Sequence, residues 1–180
     1  MKSNTRELVL CAIFAGVIAI LSQIIIPVGT IPVTLQTLAI GLVGSLLGKK
    51  WGTICIFVYI LLGLVFPVYA GGSMGIGVVF GPTGGYLIAF LPMAYIIGAM
   101  TEKKSTSFLK LTIANMIGSL ITLTIGTIWL RFSLDLTWQA AFFAGAGIFI
   151  PIELAKAFGA ASIVFTIKKS LPEKYEFVRE

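Results

Sequence analysis

Between residues 8 and 167 the chain is a succession of apolar runs, each ended by basic residues, prolines or glycines. The runs cover about 8–26, 35–48, 51–66, 86–100, 108–130 and 140–167. An α-helix needs about 20 apolar residues to cross the hydrocarbon core of a bilayer. The pattern therefore predicts an all-α membrane protein: one domain, residues 1–180, of six transmembrane helices. Composition excludes the soluble alternative. Charged residues make up 11% of the chain, against roughly 25% in soluble domains, so lipid must cover most of its surface. The first run is longer than a signal-peptide core and ends in Ile24-Ile25-Ile26-Pro27 without a small-residue cleavage site, which reads as a retained helix.

The basic residues orient the chain. Lys2 and Arg6 precede the first run, Lys49 and Lys50 follow the second, and Lys103, Lys104 and Lys110 surround the gap between the fourth and fifth. Lys168, Lys169, Lys174 and Arg179 follow the sixth. That is 11 of the 13 basic residues on one side of a six-span arrangement, with Arg131 alone on the other. By the positive-inside rule the crowded side is cytoplasmic, and so are both termini. The net charge of +6 thus reflects topology; the basic residues form no single face for nucleic acid. There is no histidine, so a zinc or haem site and a histidine triad are not expected. Cys11 and Cys55 lie inside apolar runs and read as buried thiols. No metal and no cofactor is expected.

Two stretches interrupt the helical pattern. The first, residues 27–32, leads into Val33-Thr34-Leu35-Gln36-Thr37. The second, residues 68–85, is apolar but too rich in glycine for a stable helix interior. Irregular backbone cannot face lipid, so it must pack against protein or line a cavity. Gly81-Pro82-Thr83-Gly84-Gly85 lacks the Gly-Lys-Ser/Thr ending of a phosphate loop, and none occurs elsewhere. The chain is therefore expected to carry no ATPase of its own.

One basic and one acidic residue remain once the loops are assigned. Lys156 and Glu153 are the ionisable pair inside an apolar run, three residues apart and so on one helix face, just after Pro151, which is expected to interrupt that last run. Each charge at a helix centre costs about 2.5–3.5 kcal/mol on insertion scales. The pair is either self-neutralising or the polar end of a ligand cavity, and the cavity better explains its place behind a proline. Thr34 and Gln36 are polar groups near the outer side, and their spacing does not decide whether they touch a ligand. Ala12 with Gly16, and Ala15 with Ala19, give the first helix small-residue faces suited either to internal packing or to a partner.

At these residues the chain resembles a known family. Pro32-Val33-Thr34-Leu35-Gln36-Thr37-Leu38, Leu47-Gly48-Lys49-Lys50-Trp51-Gly52, Tyr59-Ile60-Leu61-Leu62-Gly63 and Gly81-Pro82-Thr83-Gly84-Gly85-Tyr86-Leu87 follow the order seen in BioY proteins. These are the biotin-specific substrate-binding (S) components of energy-coupling factor transporters. The resemblance implies a six-helix bundle in the bacterial cell membrane that binds biotin near the outer face. It also implies a partner module, a transmembrane coupling protein with two ATPase subunits, which alone uses ATP. The family's last motif usually reads Pro-Gly-Asp-Leu-x-Lys; here it is Pro151-Ile152-Glu153-Leu154-Ala155-Lys156. By the same resemblance Glu153 accepts from the two ureido N–H groups of biotin and Lys156 donates to its carbonyl. Tyr86 and Gln36 contact the ligand, and Thr34 with the glycine loop around Gly72 closes the cavity. The small-residue face of Ala12, Ala15, Gly16 and Ala19 is the candidate surface for such a partner, with internal packing as the alternative. Two other readings of the same residues are an S component for a different vitamin and a small intramembrane enzyme using Glu153 as a base.

Overall fold

A computed structural model describes residues 2–28, 31–102 and 106–170. Five helices are long and apolar enough to cross a membrane: α1 (Lys2–Ser22), α2 (Gln36–Gly63), α4 (Gly84–Thr101), α5 (Phe108–Ser133) and the pair α6 (Trp138–Phe142) and α7 (Phe149–Ser170), which run as one interrupted rod. Six passes come from these five because α2 is folded in half. In a straight helix Gln36 and Tyr59, 23 residues apart, would be separated by about 34 Å at 1.5 Å per residue. Yet Gln36 Nε2 donates to the Tyr59 hydroxyl at 2.6 Å. The chain reverses at Gly48, whose φ of 72° and ψ of −178° belong to a region open essentially to glycine alone. The halves, 36–47 and 49–63, match the second and third runs read from sequence.

Other boundaries shift for local reasons. α1 begins at Lys2 because its first turns, polar and charged, continue the helix beyond the apolar stretch. It ends at Ser22, whose hydroxyl lies 2.6 and 2.7 Å from Ala19 O and Val68 O and shares its one hydrogen between them. The next residues form a two-residue ladder instead, β1 (Ile25–Ile26) antiparallel to β2 (Val33–Thr34). The glycine-rich segment is not all irregular: it holds a tight turn at Ala70–Gly72 and a short helix, α3 (Ile76–Phe80). The last pass does not break at Pro151. Pro151 is the third residue of α7, where a missing N–H is one the helix could not have bonded anyway. The break lies earlier, in a wide π-type turn at Phe143–Gly147 rich in Gly and Ala.

The bundle is inside-out relative to a soluble protein. Outward faces carry Ile13, Ile20, Phe57, Leu109, Leu120 and Phe158, all exposed, which lipid covers at no cost. α5 turns Asn115, Ser119 and Thr122 inward, all buried, and there the Asn115 amide donates to Ser45 and the Ser119 hydroxyl to Glu153 on neighbouring helices. α2 packs most extensively on α4, α4 on α5, and α7 on α5 and α2, with α1 against α2.

One end of the bundle is basic. The reversal of α2 is tied to the end of α4 by Lys49–Glu102 at 3.4 Å, and Lys168 of α7 donates to Thr101 O at 2.9 Å. Lys103, Lys104, Lys174 and Arg179 lie outside the described residues. At the far end of α5, Arg131 bonds to Asp135 at 3.2 Å and stacks over Phe132 and Trp138.

Candidate functional site

A cavity of about 280 Å³ opens among the segments opposite the basic end. Its walls come from the loop before α2, the start of α2, the glycine-rich segment, α4, α5 and α7. Ile31, Pro32, Val33 and Thr34 approach from the loop before α2, with Gln36 and Thr37 on the first turn of that helix. Tyr69, Ala70, Ser73 and Val78 come from the glycine-rich segment, and Thr83, Tyr86, Leu87 and Phe90 from the start of α4. Thr122 and Leu123 of α5 and Phe149, Glu153 and Lys156 of α7 complete it.

Glu153 and Lys156 are 5% and 8% exposed and form an ion pair at 2.6 Å. Burying charges is tolerable only when the pair is close and the remaining hydrogen-bonding positions are filled. Here α2 and α5 fill them. Thr37 Oγ1 accepts from Lys156 Nζ at 3.1 Å and donates to Glu153 Oε1 at 2.9 Å. Ser119 Oγ donates to Glu153 Oε2 at 3.1 Å. The spacing of three that put both charges on one helix face thus builds a neutral polar cluster braced from three helices.

A second hydrogen-bonded chain holds the mouth. Thr34 Oγ1 donates to Gln36 Oε1 at 3.0 Å and accepts from the Gln36 N–H at 3.2 Å. Gln36 Nε2 donates to Tyr59 OH, which donates to Val68 O at 2.9 Å. Gln36 therefore links the loop before α2, the second half of α2 and the start of the glycine-rich segment. In that segment burial pushes the Tyr69 hydroxyl above its ordinary range, and it donates to Ile60 O at 2.6 Å. Tyr86 donates to Gly145 O at 2.8 Å, and its ring lies where a side chain on Gly126 would be. The wide turn before α7 is thereby fastened to α4.

Of the residues expected at the site, Glu153, Lys156, Tyr86, Gln36 and Thr34 all line the cavity. Gly72 does not. It is exposed with φ of 72° and turns the chain, while its neighbours Ala70 and Ser73 reach the wall. The small-residue faces of α1 also divide. Ala15 is 1% exposed and belongs to the core with α2, so it is not an open partner surface, and Ala19 is half-buried. Ala12 and Gly16 face outward, and nothing lies within 4 Å of a methyl placed on Gly16. Sequence reasoning did not pick out Thr37, Ser119, Thr122, Tyr59 or Tyr69. For all but Tyr69 a hydroxyl inside an apolar run was the available signal, a weak one because the exposed Thr124 and Thr166 carry hydroxyls too.

Residues 1–173 match the model of the BioY family. The chain is 43% identical over 157 residues to "Biotin transporter BioY2" of Lactococcus lactis subsp. cremoris (strain MG1363), covering 86% of each. It is 37% identical over 165 residues to "Biotin transporter BioY" of Thermotoga maritima, covering 91% of this chain and 96% of that one. The solved S-component for biotin from an ECF-type ABC transporter shares the fold with a TM-score of 0.89 at 30% identity, covering 98% of both chains.

Proposed function

The chain belongs to the BioY family, and from that membership we propose that it is the biotin-binding subunit of an energy-coupling factor transporter in the bacterial cell membrane. It is a transport subunit and not an enzyme. The observation that carries the ligand assignment is the buried Glu153–Lys156 pair in the wall of a ligand-sized cavity. At about 280 Å³ the cavity is just below the usual small-molecule range of roughly 300–1,000 Å³, and suits one compact solute. A cyclic urea offers N–H groups to the carboxylate and a carbonyl to the ammonium. Leu87, Phe90, Leu123 and Phe149 offer apolar walls to a thioether ring and an aliphatic tail. An analogue lacking the polar edge would leave two buried charges short of partners, which discriminates strongly.

Purified protein in detergent is expected to melt at a higher temperature with biotin and to be indifferent to ATP. Ligand at about a hundred times its Kd adds roughly 2.7 kcal/mol to folding stability. A melting curve unmoved by saturating biotin would sink the assignment, and another vitamin that moved it would point to a different S component.

Delivery to the cytoplasm is assigned to an energising module of a transmembrane coupling protein and two ATPase subunits. The open face around Ala12 and Gly16 is the proposed contact, because it is the part of the α1 small-residue face left uncovered. Gly16→Leu is expected to abolish uptake by cells while leaving detergent binding intact; undiminished uptake would remove this face from the interface. Both termini are assigned to the cytoplasm, a reading supported by the gathering of basic residues at one end of the chain's passes. An impermeant thiol reagent outside the cell is expected to label Gly75→Cys and spare Lys50→Cys (Cys11 and Cys55 replaced), and the reverse would invert the orientation.

A further inference from the structure

Ser119 does not line the cavity, and ligand contact gives it no role. It lies on the buried face of α5, 5% exposed, with its hydroxyl on Glu153 Oε2. The other carboxylate oxygen is already filled, since Lys156 Nζ and Thr37 Oγ1 both donate to Oε1. A carboxylate has about four acceptor positions, two on each oxygen. Donors from α7, α2 and α5 occupy three, and the one left is on Oε2. The Lys156 ammonium has three N–H bonds, two of them spent on Glu153 and Thr37. Without breaking an internal hydrogen bond, the pair presents one acceptor and one donor.

We infer that Ser119 is a positioning residue for Glu153. By holding Oε2 toward α5 it limits the carboxylate to a single ligand N–H, so that Glu153 and Lys156 together read one N–H and the adjoining carbonyl of the ureido edge. The second ureido N–H is left to another acceptor or to none. This refines the expectation that Glu153 accepts from both N–H groups, and it rests on the reading of the cavity as a biotin site. Glu153 has three side-chain torsions, and an anchor from a neighbouring helix is what restricts a long carboxylate to one pose.

The test is titration calorimetry on the purified full chain, with biotin and with the two ring analogues in which CH₂ replaces one or the other ureido N–H. Ser119→Ala is expected to bind biotin roughly tenfold more weakly, the usual scale for a lost hydrogen bond to a charged group. The same change in a Glu153→Gln background is expected to add less than about threefold, because the anchored charge is already gone. On the wild type, loss of one N–H is expected to weaken binding far more than loss of the other. Three results would overturn the inference: wild-type affinity in Ser119→Ala, a full tenfold loss that persists beside Glu153→Gln, or equal penalties for the two analogues. A lowered melting temperature of unliganded Ser119→Ala with unchanged affinity is the signature of a merely structural hydroxyl and also counts against it. Failure of the wild type to bind biotin at all would instead overturn the biotin reading on which it stands.

Discussion

Glu153→Gln is expected to weaken biotin binding by about 1.5–3 kcal/mol, roughly ten- to a hundredfold, while the protein stays folded and monodisperse. The amide keeps the size of the carboxylate but replaces one acceptor oxygen by an NH₂ group. That group would face donors, since Thr37, Ser119 and Lys156 all point hydrogens at this position. Lys156→Met is expected to cost as much or more. It removes the ligand's donor and leaves the Glu153 charge buried with only two hydroxyls, and a buried ion pair that loses one partner typically forfeits about 3–5 kcal/mol. Part of that loss will appear as a lower melting temperature of the unliganded protein. Glu153→Asp keeps the charge beside Lys156 but falls short of Ser119 and Thr37, so its affinity is expected between wild type and Glu153→Gln. Calorimetry on folded variants decides the matter. Normal affinity in both Glu153→Gln and Lys156→Met would refute the site.

The second large effect is on the fold. Gly98 of α4 lies against the reversal of α2, and a methyl placed on it would overlap the backbone of Gly48 and Lys49. A flexible side chain could rotate away from such an intruder; backbone at a turn cannot. Overpacking a filled interior ordinarily costs about 1–3 kcal/mol, occasionally more, and Gly98→Ala is expected at or above the top of that range. It strikes the most extensive helix contact of the bundle, between α2 and α4. Gly48→Ala is expected to lose about 1–3 kcal/mol for a different reason, its positive φ beside an extended ψ. Thermal melting in detergent without ligand separates the two from wild type. An unchanged Gly98→Ala melting temperature would mean that the reversal and α4 are not in contact.

The passes through the membrane were legible because bilayer thickness fixes how long an apolar run must be, and because the lysines at positions 49, 50 and 168 mark where runs end. The charged pair was legible because two ionisable residues in an apolar run have no cheap explanation. Geometry that depends on contacts between distant segments was not. Nothing in the residues around Gly48 announces that Gln36 and Tyr59 meet, and small residues at spacings of three and four do not say which stripe faces inward. Ala15 and Gly16 are adjacent in sequence, yet one is buried and the other open. Proline drew attention as the helix breaker of the last pass, but at the third residue of α7 it breaks nothing, and the wide turn formed over the small residues before it. Gly72 was expected to contact the ligand as part of the glycine loop that closes the cavity, whereas its neighbours Ala70 and Ser73 reach the wall.

The hydroxyls that brace the charged pair also bear on how fast a bound molecule leaves. Thr37, Ser119 and Lys156 hold Glu153 before any ligand arrives, so little side-chain freedom is left to lose on capture, and preorganisation of this kind lengthens residence time. A shift of α7 against α2 and α5 would separate Glu153 from Thr37 and Ser119 together. Because that brace spans α2, α5 and α7, the shape of the polar end depends on all three helices at once.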